Sequence, residues 1–165
     1  MITLILILHT MISSASNKGN VEIVSLEQLQ ARTVNQKNDT LYIVNFWATW
    51  CKPCVAELPY FIDAEKRFSG QKVKVIFVSL NYARELAKVE NFVKQRKMSS
   101  PCYLLNAGNP NDWIDKIEKN WYGSIPVTIM YRNGEKVFFR EGEFLPGKEP
   151  EGQTELNSII QSRLR

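Results

Sequence analysis

Phe46-Trp47-Ala48-Thr49-Trp50-Cys51-Lys52-Pro53-Cys54 is the stretch whose reading decides the fold. The apolar run Leu41 to Phe46 precedes it and reads as a buried strand. Val55 to Phe68 follows and reads as a helix, with Val55, Leu58, Phe61, Ile62, Glu65 and Phe68 at helical spacing. A cysteine pair at a strand-to-helix turn meets unpaired backbone N–H groups and the positive end of the helix dipole. A thiolate there is stabilised, so the thiol pKa falls below the free value of about 8.5. Cys51 is then a nucleophile near neutral pH, and Cys54 lies one turn on, close enough to attack and close a disulfide. Pro53 suits a first turn, where no intrahelical N–H bond is made. Lys52 adds positive charge beside Cys51, either tuning the thiolate or solvated.

Outward from this centre the chain alternates strands and helices. Val21 to Val24 alternates like a short strand, and Ser25 with Gln28 forms a capping-box pattern for a helix carrying Leu26 and Leu29. After the central helix, with Pro59 inside it, Val73 to Leu80 reads as a second buried strand. A strand-helix-strand unit of this length implies parallel neighbours. Arg84 to Met98 reads as a helix, Cys102 to Leu105 as a short strand, and Trp113 to Trp121 as a helix capped by Asp112. Val127 to Tyr131 and Lys136 to Arg140 flank Asn133-Gly134, a strong hairpin signal. Thr154 caps the last helix, with Leu156, Ile159, Ile160 and Leu164 facing the core.

The wider string Trp50, Cys51, Cys54, Glu57 and Pro59, with Ile125-Pro126 far downstream, resembles the thioredoxin superfamily, and within it the TlpA/ResA-like thiol-disulfide oxidoreductases. The resemblance covers residues 21–165 and implies an α/β thioredoxin fold. In that fold a mixed central sheet has helices on both faces, and a TlpA-like insertion lies before the cis-proline strand. It implies that Ile125-Pro126 is cis and that Ile125 offers backbone groups to an extended substrate. It implies a functional glutamate at Glu57, one turn beyond Cys54. A carboxyl shut away from water there has a raised pKa and can take or return the Cys54 proton. Thioredoxin proper has a buried aspartate where this chain has Asn45, which leaves Glu57 as the motif-linked acid. Trp50 borders the disulfide and the substrate groove, while Trp47 is open between groove and core.

Composition bounds the alternatives. At 165 residues the chain is long enough for one domain with a proper core. The net charge of +4 is mild, and Lys94-Gln95-Arg96-Lys97 reads as a solvated helix face, so no nucleic-acid partner is expected. The one histidine is His9, which removes Cys-His and Ser-His nucleophile pairs from the domain and leaves a zinc site needing carboxylate. No metal and no cofactor beyond the Cys51–Cys54 disulfide is expected. Cys102 reads as a buried inert thiol, and Trp113, Trp121 and Tyr122 as packing. Residues 1–16, with the apolar run Ile2 to Leu8 followed by small residues, resemble a secretory leader lacking a basic start.

These readings converge on an extracytoplasmic or periplasmic monomer that reduces protein disulfides through Cys51 and Cys54. The resemblance implies a membrane thiol electron donor and, as one substrate class, apocytochrome c. A disulfide oxidase or isomerase of the same fold stays open, as does a non-catalytic metal-binding or thiol-chaperone module. A peroxiredoxin would need a Pro-x-x-x-Thr-x-x-Cys setting, and here Ala48 stands where the threonine belongs.

Overall fold

The computed structural model describes residues 21–144 and 150–165; the leader-like segment lies outside them. Six strands form one sheet: β1 (Val21–Val24), β2 (Leu41–Trp47), β3 (Val73–Ser79), β4 (Cys102–Leu105), β5 (Val127–Arg132) and β6 (Glu135–Glu141). Their spatial order is β1-β4-β3-β2-β5-β6. The first four in that order are parallel to one another, and β5 and β6 run antiparallel at one edge. The helices are α1 (Leu26–Arg32), α2 (Lys52–Arg67), α3 (Leu86–Gln95), α4 (Ile114–Ile117) and α5 (Glu151–Arg163). This is the thioredoxin-like α/β arrangement that the sequence implied.

Strand periodicity sorts the core into two layers. On β2, Leu41, Ile43 and Trp47 face the layer of α2, α3 and α5, where they meet Leu58, Phe61, Val89, Leu156 and Ile160. Tyr42, Val44 and Phe46 face the opposite layer, with Leu26, Leu29, Trp113 and Trp121. The same alternation puts the polar Asn45 on the α2 side of a fully buried strand. Its antiparallel partner on β5 is Thr128, also buried.

Local chemistry explains the element ends. Ser25 and Gln28 form the expected capping box of α1. The hairpin between β5 and β6 is a two-residue loop with Asn133 at φ 55° and Gly134 at φ 80°. Two positive φ values define the turn type that Asn-Gly favours. Helix α3 is shorter than its sequence pattern, beginning after a 3₁₀ turn at Ala83–Glu85 and ending at Gln95. Lys97 takes φ 53°, and the Met98 and Lys97 N–H groups bond back to the Val93 and Lys94 carbonyls, a Schellman closure.

Two expectations need correction. The segment from Trp113 to Trp121 holds only the single turn α4, preceded by a 3₁₀ turn capped by Asn109 rather than by Asp112. The cause is Glu118: its buried carboxylate accepts from the Asn120 N–H and pairs with Lys136, which holds the chain out of helical geometry. Thr154 lies inside α5, its hydroxyl donating to the Pro150 carbonyl, because the helix starts three residues earlier.

Gly152, in the first turn of α5, sits against Tyr60 of α2. A Cβ there would lie 2.6 Å from the Phe144 carbonyl oxygen and 2.8 Å from Tyr60 Cε2. Gly152→Ala is therefore expected to destabilise the protein by about 1–3 kcal/mol. Urea denaturation checks this, and a loss below a few tenths would mean that α5 gives way without strain.

Candidate active site

Helix α2 starts at Lys52, three residues earlier than the apolar periodicity indicates, with Pro53 in its first turn. Cys51 is therefore the N-cap residue itself. Its sulfur takes the acceptor position that a serine or aspartate oxygen fills at other helices, receiving the Cys54 N–H at 3.3 Å. A reduced Cys51 thiolate in this place receives that N–H and the helix dipole together. Cys51 and Cys54 form a disulfide. Cys54 is fully buried, and Cys51 retains 6% exposure, so only Cys51 offers a face to another molecule.

Across from the disulfide, the Ile125–Pro126 bond is cis. The Ile125 carbonyl oxygen lies 3.7 Å from Cys51 Sγ. Neighbouring contacts pin this loop. Glu141 accepts from the Tyr122 and Ser124 N–H groups and from the Ser124 hydroxyl, and the Gly142 N–H donates to the Pro126 carbonyl. On the other side, Asn81 at the end of β3 accepts from the Thr49 N–H at 3.0 Å and donates to the Thr49 hydroxyl at 2.9 Å. It holds the approach to Cys51. Sequence reasoning missed Asn81 and Glu141; a position just past the carboxyl end of a central parallel strand was the available signal for Asn81.

Behind the disulfide lies the acid. Glu57 is 2% exposed. Its Oε1 accepts from Asn45 Nδ2 at 2.9 Å, and its Oε2 accepts from the Phe144 backbone N–H at 3.3 Å. Burial pushes its pKa up from 4.5 to about 7, against the lowering effect of those two hydrogen bonds. Glu57 is thus a buried carboxyl that changes charge near neutral pH, one helical turn beyond Cys54.

The remaining singled-out residues separate cleanly. Trp50 is 59% exposed at the rim, and Lys52 is exposed beside it. Trp47 is core, packed against Phe92 with ring centres 5.1 Å apart. Trp113 and Trp121 are buried against each other and Phe46, but Tyr122, read as packing, is exposed. Cys102 is buried beside Trp47, and burial pushes its thiol up to about 12, well outside nucleophilic range. A cleft of about 740 Å³ opens from the active-site rim between Trp50, Tyr82, Ala107, Trp113 and Ile125, and among the described residues no charged one lines it. Among the described residues no three metal-ligating side chains cluster, and no helix is long and apolar enough to cross a membrane.

A thioredoxin-like sheet carrying a Cys-x-x-Cys disulfide at the N-cap of α2, faced by a cis-proline, defines the class of redox-active dithiol proteins. Comparison with known proteins agrees: the AhpC/TSA family pattern matches residues 14–128, and the chain belongs to that family. It is similar to the thiol-disulfide oxidoreductase ResA of Bacillus thuringiensis subsp. konkukian (strain 97-27), 30% identical over 112 residues, covering 68% of this chain and 58% of the relative. ResA of Bacillus subtilis (strain 168) is 38% identical over 61 residues, 37% of this chain and 33% of the relative. The chain thus spans less than two thirds of these curated relatives. Among solved structures, a thiol:disulfide interchange protein of the thioredoxin family from Chlorobium tepidum TLS superposes with a TM-score of 0.62. It is 22% identical, covering 81% of this chain and 90% of the other, a likeness in fold.

Proposed function

We propose that this protein is an extracytoplasmic thiol-disulfide oxidoreductase that reduces disulfides in partner proteins. The observation that carries the reading is the Cys51–Cys54 disulfide at the α2 N-cap, with one sulfur reachable and the cis-Ile125–Pro126 loop 3.7 Å from it. In the reduced protein the Cys51 thiolate attacks one sulfur of a partner disulfide, and the displaced partner thiolate takes a proton. Cys54 gives its proton to the ionised Glu57, and the resulting thiolate attacks Cys51 Sγ. The second partner sulfur leaves and is protonated in turn; both partner thiolates draw their protons from solvent, to which Glu57 returns the one it took from Cys54. The partner gains two electrons and two protons, and the chain is left as the Cys51–Cys54 disulfide. A membrane thiol donor then restores the dithiol.

The exposed Trp50 and the Ile125 backbone flank Cys51 and form the binding edge, with Pro53 in the first turn of α2 and the cis-Pro126 next to Ile125 as its supports. The uncharged cleft beside them suits apolar side chains flanking a partner cysteine. Apocytochrome c, with paired cysteines that must be reduced, fits as a substrate. The extracytoplasmic assignment rests on the apolar run Ile2 to Leu8 and the small residues after it.

An equilibrium redox titration against glutathione tests the direction. A reductase of this type is expected to titrate more negative than about −200 mV. A midpoint near about −120 mV would make the protein an oxidant and overturn the reductase reading.

A further inference from the structure

We propose that Asn45 is a positioning residue for Glu57, a side-chain amide whose two orientations match the two protonation states of that carboxyl. Asn45 Nδ2 lies 2.9 Å from Glu57 Oε1 and 3.3 Å from Thr128 Oγ1, and all three side chains are buried. Its Oδ1 is buried without a hydrogen-bond partner. An amide carries two donors on one end and an acceptor on the other, in nearly the same shape. With Nδ2 toward the pair, both N–H groups are used, one by an ionised Glu57 and one by the Thr128 oxygen. Turned by half a rotation, Oδ1 faces the same two groups and accepts from the O–H of a protonated Glu57 and from the Thr128 hydroxyl. Besides the amide, only the Thr128 hydroxyl hydrogen turns and Glu57 takes up its proton. The orphaned Oδ1 marks the amide's far end, which has no partner in the present orientation.

The placement follows from strand geometry. Asn45 and Thr128 are direct antiparallel partners on the sheet face that α2 covers. Glu57 reaches from α2 to the Asn45 amide, and the Phe144 N–H holds its second oxygen from the segment after β6. The charged groups facing Glu57 are Glu143, which opposes its ionisation, and Arg140, which favours it. Cys54 lies one turn away on α2 itself. A leucine at position 45 serves neither state of the carboxyl, and an aspartate adds a second acid.

The part that Asn45 plays in exchange rests on the reading that Glu57 moves the Cys54 proton, so the test separates the two. The oxidised full chain is used, in which the active-site cysteines do not titrate. With ¹³C-labelled glutamate, NMR follows the Glu57 carboxyl with pH in the wild type, Asn45→Leu and Asn45→Asp. A hydrogen bond to a charged group is stronger than one to a neutral group, so Asn45→Leu is expected to raise the midpoint by about one pH unit. Asn45→Asp is expected to split the titration into two widely separated steps, since adjacent carboxyls share one proton. A midpoint in Asn45→Leu within a few tenths of the wild type, or an unsplit titration in Asn45→Asp, overturns the proposal. The pH dependence of disulfide reduction is the second readout. If the carboxyl midpoint moves but the rate profile stays, the positioning role stands and the proton-transfer role of Glu57 falls.

Discussion

Cys54→Ser is expected to convert the protein from a turnover catalyst into a trap that keeps partner proteins bound to Cys51. Cys54 is fully buried beneath Cys51, whose sulfur alone reaches the rim beside Trp50 and Ile125. A partner therefore meets Cys51 first, and release depends on Cys54 attacking from within the same helical turn. Such an intramolecular step carries an effective concentration of about 10⁵ M or more, which no solution thiol matches. Turnover should fall at least about a thousandfold in Cys54→Ser, with mixed disulfides accumulating. Non-reducing electrophoresis of the variant mixed with a disulfide-bonded substrate reads this directly. Cys51→Ser should lose turnover and form no adduct; adducts confined to Cys51→Ser would reverse the two roles.

Glu57→Gln is expected to change stability and rate in opposite directions above neutral pH. The carboxyl's folded pKa of about 7 stands above its ordinary 4.5 because it is buried. Below about pH 4.5 it is protonated in both folded and unfolded chains and exerts no charge penalty. As pH rises from there through 7, the unfolded chain ionises first, so the folded state loses stability, by up to about 3 kcal/mol once both forms are ionised. Glutamine never ionises and removes this loss. Urea denaturation of the oxidised proteins at about pH 5 and pH 8 should show the wild type falling relative to the variant by roughly that amount. Disulfide reduction by Glu57→Gln should be slower by about tenfold or more at neutral pH, with its pH dependence flattened. Equal stability profiles would mean that the carboxyl is solvated in solution.

Both experiments bear on residues that were legible at different depths. Cys51, Cys54 and Pro53 announced themselves by residue type and order, because a thiol pair at a strand-to-helix turn has few other uses, while Ile125-Pro126 and Glu57 were legible only through the resemblance to the thioredoxin superfamily. The alternation of strands and helices was legible wherever apolar periodicity was strong, as in β2, β3 and the Asn133-Gly134 hairpin. It misled where a buried polar group overrode it. Glu118 draws the chain out of a helix that its neighbours favour, and Lys97 closes α3 in a backbone region that non-glycine residues seldom enter.

The amino-acid sequence by itself placed two thiols at a strand-to-helix turn, from apolar periodicity, turn chemistry and spacing, and the fold class was legible through the family resemblance that those residues carry. Only the tertiary structure decided the environment of those atoms. It made Cys51 the N-cap of α2 and brought Ile125, 74 residues away, to its sulfur. It also seated Glu57 on the Asn45 amide and the Phe144 backbone, 12 and 87 residues distant. The physical reason is that a thiol or a carboxyl takes its reactivity from burial, hydrogen bonds and nearby charge, and those are supplied by whichever strands and helices the packed sheet places beside it.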